Sequence, residues 1–311
     1  MDLRTLRAFV EVVRQGGFSQ AARKIFATQS TISKSVRQLE DELVLTLLDR
    51  HGHKHRLTPA GEIVFRRAVT MLAERDDLIG ELDELRGLKR GQLRLGLPAI
   101  GSNVLFAPLF AAFRSRYPGI EIQLTEQGSK RLEELVLAGE LDLAASLLPV
   151  DDQFDWQEVR REPLDLLVAA EHPLAGRDQV EMRELADQPF ILFGEGFALN
   201  PIILAVCQRS GFQPSVTSRS SQIDFIIELV SSGLGISFLP RMIARQRAAE
   251  GFRAIAVSDA GMDWHIALVW RRGSYLSRAA QAWLDLARNA AATVAPPLAT
   301  TDRTAASDSF C

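Results

Sequence analysis

The 311-residue sequence predicts a chain in three parts: a small all-α head built on a winged helix-turn-helix, one long linker helix, and an α/β body of two lobes. Three observations predict it. Ile32, Val36, Leu39 and Leu43 recur at four, three and four residues, one buried stripe of a helix. After Thr58-Pro59, a stretch of about thirty residues carries two apolar rows at helical spacing, and at 1.5 Å per residue it would span about 45 Å. From Gly91 onward, short apolar strands alternate with helices, the texture of an α/β domain with a mostly parallel sheet. The length itself asks for two or three domains.

In the head, Asp2 is placed to cap a first helix whose Leu3, Leu6, Phe9, Val10 and Val13 share a face, and Gly16-Gly17 end it. Ser19 then suits the cap of a short helix through Ala21, Ala22, Ile25 and Phe26, and residues 27–29 make a turn. Two helices joined so tightly must cross steeply, as a helix-turn-helix requires. Thr28 suits the N-cap of the striped helix, which puts Gln29, Ser30 and Thr31 in its first turn and Ser33, Lys34 and Arg37 on its polar face. Amides and hydroxyls there read base edges, and the two cations hold phosphates. Leu45, Leu47 and Leu48 return the chain to the core. The basic run RHGHKHR follows as a wing candidate, with Arg50, His53, Lys54 and Arg56 toward the DNA backbone. Periodicity alone leaves a second reading open, a three-helix domain that touches no nucleic acid.

Charge distribution bears on that choice. The chain as a whole is at −3, yet residues 1–61 hold ten Lys and Arg against six Asp and Glu, a net of +4 that leaves −7 for the rest. A basic head on an acidic body fits local phosphate contact. No apolar run is long enough to span a bilayer and the amino terminus has no signal-peptide pattern, so the expectation is a cytoplasmic protein with no membrane partner. Two cysteines, Cys207 and Cys311, make no disulfide framework.

The motif F-S-x-A-A, then Q-S-T-I-S-K-S-V-R-Q-L-E-D-E-L, then L-L-D-R and L-T-P-A-G-E-I resembles the amino-terminal domain of LysR-type transcriptional regulators. Two departures are visible: Val44 where the family often has Gly, and Leu48 where it often has Phe. Both fall in the turn into the wing rather than on the reading face. The resemblance implies double-stranded DNA as partner, bound at an interrupted palindromic operator, with RNA polymerase as a further partner.

Along the linker helix Phe65, Ala68, Leu72, Ile79 and Leu82 fit a heptad seam broken once by Arg75, and Val64, Met71, Leu78 and Leu85 run beside it. So wide an apolar band either packs on the chain's own domains or pairs with a second subunit. In the family this helix pairs subunits, which implies a homodimer through it and a homotetramer beyond.

In the body, the expected elements are a strand at 92–97, a helix at 103–116, a strand at 120–124, a helix at 130–138 ended by Gly139, and a strand at 141–146. A second set follows with strands at 164–169 and 190–193, a helix opening at Asn200-Pro201, a helix at 222–230, and a strand at 236–239. The strand 264–269 returns to the first lobe and a helix at 277–292 closes it. This arrangement, with A-G-E-L-D-L-A, E-H-P-L-A and V-S-S-G-L-G-I-S-F-L-P, resembles the effector domain of the same family, which is periplasmic-binding-protein-like with a cleft between its lobes. The divisions expected are 1–58 for the head, 59–89 for the linker, 90–163 with 264–292 for lobe I, 164–263 for lobe II, and 293–311 as a disordered tail rich in Ala, Thr, Pro and Ser.

A ligand in such a fold sits outside the carboxyl ends of the strands, where helices begin. Helix amino termini favour anions, so a small carboxylate-bearing effector is expected, although Ser102 and Ser129 would equally serve as plain caps. The resemblance carries over Gly101, Ser102, Ser129, Leu199 and Asn200 as effector-binding, with Phe193 as an apolar wall and Ser220 and Ser221 as weaker candidates.

Other signals are set aside. His51, His53 and His55 alternate, but no Cys or carboxylate cluster completes a metal site, and no cofactor is expected. Neither His172 nor His265 has a triad around it. Gly194-Glu-Gly196 lacks the third glycine of a nucleotide loop. Cys207 lies near a redox position of peroxide-sensing members, but Ala198 stands at the partner position, so thiol switching is not expected. The reading is a non-enzymatic regulator; a cleft enzyme or a solute-binding protein acting on the same small ligand is the alternative.

Overall fold

A computed structural model describes residues 1–49, 56–85, 91–247 and 251–294. The head opens with α1 (Leu3–Arg14). Asp2 caps it by accepting from the backbone of Arg4 and Thr5, each at 2.8 Å, and these bonds hold its carboxyl below the usual range. Leu6, Phe9, Val10 and Val12 are buried, whereas Leu3, expected on the same face, is exposed. The second helix, α2 (Phe18–Lys24), begins one residue before Ser19, so Gly17 is its N-cap and Ser19 caps nothing. Next comes α3 (Gln29–Leu43), capped by Thr28, whose Oγ1 accepts from the Thr31 N–H at 3.2 Å. Ile32, Val36 and Leu39 are buried as the spacing requires. Of the three leucines that follow, Leu47 and Leu48 are in the core and Leu45 is not.

A two-residue ladder, β1 (Leu48–Asp49) against β2 (Arg56–Leu57), forms the base of the wing. Thr58 donates to the Thr46 carbonyl and accepts from Gly61 N–H at 3.0 Å, so one hydroxyl both closes the wing and starts α4 (Pro59–Leu85). Gly61 is obligatory here: a Cβ on it would stand 2.1 Å from the Leu47 carbonyl oxygen. The seam of α4 is divided in use. Phe65, Ala68 and Leu72 pack on the head itself, with the Phe65 ring edge-on to Phe9 at 6.5 Å, while Met71, Leu78, Ile79 and Leu82 are exposed.

The body contains β3 (Gly91–Leu97), α5 (Ser102–Leu105), α6 (Ala107–Arg116), β4 (Ile120–Glu126), α7 (Ser129–Leu137), β5 (Leu143–Leu147), β6 (Phe154–Ala169) and β7 (Gln179–Val180). After these come β8 (Pro189–Phe193), α8 (Leu199–Arg209), β9 (Ser215–Ser220), α9 (Ile223–Ser231), β10 (Ser237–Pro240), α10 (Arg241–Gln246), β11 (Phe252–Val257), β12 (Asp263–Arg271) and α11 (Arg278–Val294). Lobe I is the sheet β4-β3-β5-β12-β6, in which β4, β3 and β5 are parallel and β12 runs antiparallel to both its neighbours, so the sheet is mixed rather than mostly parallel. The long strand β6 joins the lobes. Up to Pro163 it pairs with β12, and from Leu164 it pairs with β10 and β11 of lobe II. The parallel pair β8-β9 completes lobe II, bridged to Ile236.

Helices cover both sheets. Trp283 of α11 packs on Phe110 and Phe113 of α6 at 5.0 and 5.4 Å, closing the back of lobe I. The expected helix 103–116 is two pieces, α5 and α6, and α11 runs on to Val294. The rest of the carboxy-terminal tail lies outside the described residues. Among the described residues no helix is long and apolar enough to cross a membrane.

Candidate functional site

The amino-terminal turn of α3 faces outward. Gln29, Ser30, Thr31, Lys34 and Arg37 are exposed and Ser33 is half-buried at its edge. Thr28 Oγ1 lies 2.9 Å from Ser30 Oγ and 2.7 Å from Thr31 Oγ1, so the three hydroxyls form one exposed cluster. Of the wing candidates, Arg56 is exposed at the start of β2, while Arg50, His53 and Lys54, like His51 and His55, lie outside the described residues. Glu40 Oε1 accepts from Leu47 N–H at 2.8 Å and from Leu48 N–H at 3.3 Å, fixing the turn from α3 into the wing.

Two residues of the head carry unusual backbone. Val44, the C-cap of α3, is left-handed at φ 55°, which explains why glycine suits that position: a β-branched side chain there is strained. Phe26 is left-handed too, at φ 54°, and 98% exposed, so it projects from the turn between the two motif helices instead of packing on α2. Sequence reasoning ran the short helix through Phe26; the helix ends at Lys24 and the left-handed turn points Phe26 outward.

The second site is the cleft between the lobes, about 390 Å³ in volume. Its walls come from the carboxyl ends of strands: Pro98 to Ile100 after β3, Glu126 to Ser129 after β4, Glu195 and Phe197 to Leu199 after β8, and Ser221 after β9, with Trp264 across from them. The lobes nearly touch at its rim, where a Cβ on Gly128 would stand 3.0 Å from the Gly196 carbonyl oxygen.

Of the expected effector residues, Ser129 and Leu199 line this cleft. Gly101 stands behind the Trp264 ring, where a Cβ would be 2.5 Å from the indole. Ser102 turns back and donates to the Pro98 carbonyl. Phe193 is fully buried behind the wall and stacks at 5.7 Å on Phe197, which does line it. Asn200 is a strut: its Oδ1 accepts from Phe193 N–H at 3.1 Å and its Nδ2 donates to the carbonyls of Phe193 and Gly194 at 2.9 and 3.1 Å. Ser220 accepts from Gln222 N–H at 3.1 Å, and its neighbour Ser221 faces the cleft instead. The wall residues not anticipated are Glu126, Glu195, Phe197 and Trp264. Their signal was their place at the end of a strand, just after one, or at the start of one.

Other polar groups are engaged elsewhere. His172 Nδ1 accepts from Leu174 N–H at 3.2 Å, folding the E-H-P-L-A loop, and His265 Nε2 lies 2.7 Å from Glu158. Burial pushes the Cys207 thiol up to about 11, so it is a poor nucleophile. Among the described residues no group of three His, Cys, Asp or Glu is placed to hold a metal.

Head and body are joined through α7. Its first residue, Ser129, is in the cleft; its far end turns at Gly139, left-handed at φ 68°, where a Cβ would meet Ala73 of α4 at 2.7 Å. The next residue, Glu140, pairs with Arg14 of α1 at 3.0 Å. Arg94 holds this turn by donating to the Gly139 carbonyl at 2.6 Å. A second link runs from Arg271 of β12 to Glu74 and Asp77 of α4, both at 2.6 Å; burial raises the Asp77 carboxyl and Arg271 opposes that rise.

A helix-turn-helix with a wing, joined by a long helix to a two-lobed binding domain, defines a bacterial regulator that carries its own sensor. Residues 3–62 match the family profile described as bacterial regulatory helix-turn-helix protein, lysR family, and residues 86–292 match the LysR substrate binding domain. The chain belongs to the LysR family of transcriptional regulators. It is 38% identical over 286 residues to the uncharacterized HTH-type transcriptional regulator YwbI of Bacillus subtilis, covering 92% of this chain and 95% of that one. To the transcriptional dual regulator GltC of the same organism it is 34% identical over 243 residues, 77% of this chain and 81% of the other. Among solved structures, a full-length OxyR variant from Pseudomonas aeruginosa is similar at a TM-score of 0.71 and 27% identity, covering 93% of this chain and 95% of that one.

Proposed function

We propose that this regulator reads an interrupted palindromic operator with the exposed first turn of α3, as a homotetramer built from dimers paired along α4, and that a small effector in the cleft sets its state through α7. The observation that carries this reading is the course of α7: one end in the cleft, the other against both α1 and α4. A shift of Ser129 on ligand binding moves the Gly139 turn and so the angle between head and body. Bistable packing amplifies small shifts of this kind.

Base reading falls to Gln29, Ser30, Thr31 and Ser33, and phosphate contact to Lys34, Arg37, Arg56 and the wing residues Arg50, His53 and Lys54. The exposed Met71, Leu78, Ile79 and Leu82 supply the apolar face for subunit pairing. The effector's anionic end meets the free N–H groups at the start of α7 near Ser129, with Leu199 opposite; Gly101, Ser102, Phe193, Asn200 and Ser220 support that wall from behind. The working division is head 1–58, linker 59–89, lobe I 90–163 with 264–292, and lobe II 164–263, supported by the change of partners along β6 at Pro163 and Leu164. Action in the cytoplasm, contact with RNA polymerase and the lack of any turnover of the effector belong to the same reading.

The test is selection of genomic fragments by the purified protein, footprinted across a range of salt, with mass by light scattering. A dyad-related protected site with a steep salt slope and a tetramer mass is expected. Binding without a preferred site, or a monomer at working concentration, overturns the proposal.

A further inference from the structure

The charge of the cleft wall is opposite to what an anion alone calls for. Glu126 of lobe I and Glu195 of lobe II both line it, no Lys, Arg or His does, and neither carboxylate has an ion pair or hydrogen bond among the described residues. Both side chains are exposed in the open cleft, and closure of the lobes around two unneutralised carboxylates would set them against each other as water leaves. A cation between them removes that conflict. Trp264, 1% exposed, gives the same wall an apolar backing.

An independent observation marks the other end of the same ligand. Ser129 is 6% exposed, faces the cleft, and its hydroxyl has no hydrogen-bond partner among the described residues. That hydroxyl opens to the cleft, where a ligand oxygen can take its hydrogen bond. Beside it are the free N–H groups that open α7, which suit a carboxylate. We infer that the cleft takes a small zwitterion, its protonated amine between Glu126 and Glu195 and its carboxylate at Ser129. A volume of about 390 Å³ suits a compact metabolite of that kind. This rests on the cleft being the effector site, as proposed above.

The test is calorimetry on the full-length protein with two matched probe series: the natural amino acids with short aliphatic amino-carboxylates, and the same carbon skeletons without the nitrogen. An amino-carboxylate is expected to bind at least about tenfold more tightly than its nitrogen-free counterpart. Glu126→Gln and Glu195→Gln should each weaken it about tenfold, Glu126→Asp less so, and Ser129→Ala should weaken it while sparing aliphatic diamines. Melting curves without ligand check that each variant is folded. Should the nitrogen-free acids bind as well, or the Gln variants leave affinity unchanged, the amine is overturned while the cleft stands as the effector site. If neither series binds at millimolar concentration to protein that still holds its operator, the inference and the cleft reading fall together.

Discussion

The reading face of α3 and the wall of the cleft are built in opposite ways. One is an unbroken run from Gln29 to Arg37 on a single capped helix, with Gln29, Ser30, Thr31, Lys34 and Arg37 displayed on the side away from Ile32, Val36 and Leu39. The other is collected from segments scattered between Pro98 and Trp264, which meet only because the strands before them end at one edge. A face of the first kind is exposed and loosely tied to stability, so substitutions there change binding and little else. In a wall of the second kind, each residue is backed by a buried strut such as Asn200 or Gly101. Changes there reach ligand affinity and folding together.

The largest effect should fall where the head meets its linker. Gly61→Ala puts a methyl 2.1 Å from the Leu47 carbonyl oxygen and 3.0 Å from its carbon, both backbone atoms that cannot step aside. A loss of about 3 kcal/mol is expected, with operator binding abolished and effector binding by the body retained, read by melting and calorimetry. Retained operator affinity would show that α4 can tilt off the head freely. Next is Gly101→Ala, strained by φ 84° and blocked by Trp264 at 2.5 Å, expected to cost about 2 kcal/mol. Because the indole must move into the cleft, effector affinity should fall with stability; a stability loss alone would separate strut from wall.

On the reading face, Ser33→Ala should cost about 1 kcal/mol on the specific site and nothing on random DNA. Lys34→Ala should weaken both and lower the salt slope by about one. Equal losses on specific and random DNA for Ser33→Ala would remove it from base reading. Val44→Gly should stabilise the head by about 1 kcal/mol by relieving the left-handed strain, visible as a higher melting temperature. The smallest change in stability belongs to Arg14→Ala, under about 1 kcal/mol, since its pair with Glu140 is half-exposed. Its interest lies in signalling: the effector should still bind while operator affinity no longer responds to it.

Much of the head was legible because a helix writes its buried face in local spacing, and Asp2, Thr28 and Thr58 stand where caps belong. Less of the body was. The first ten residues of β6 went unseen because they alternate charged and apolar groups and run into Pro163, where the strand crosses from one lobe to the other. The polar strand β9, with its pattern S-V-T-S-R-S, was not among the expected elements, since no apolar alternation marks it. Ser102, expected in the cleft, is spent on the Pro98 carbonyl, and such a bond is invisible before the turn is folded.

By itself, then, the amino-acid order determined which helices form, where they are capped, which stripe of α3 is buried and which residues it displays. It also determined that strands and helices alternate from Gly91 onward. These depend on neighbours three or four positions apart. Tertiary structure decided what the cleft is made of, that its two carboxylates stand unpaired among the described residues, that half of the α4 seam is consumed by the head, and that α7 ends against Arg14 and Ala73. Each of those depends on side chains tens of residues apart meeting at a strand end or a helix end. No local pattern records such a meeting.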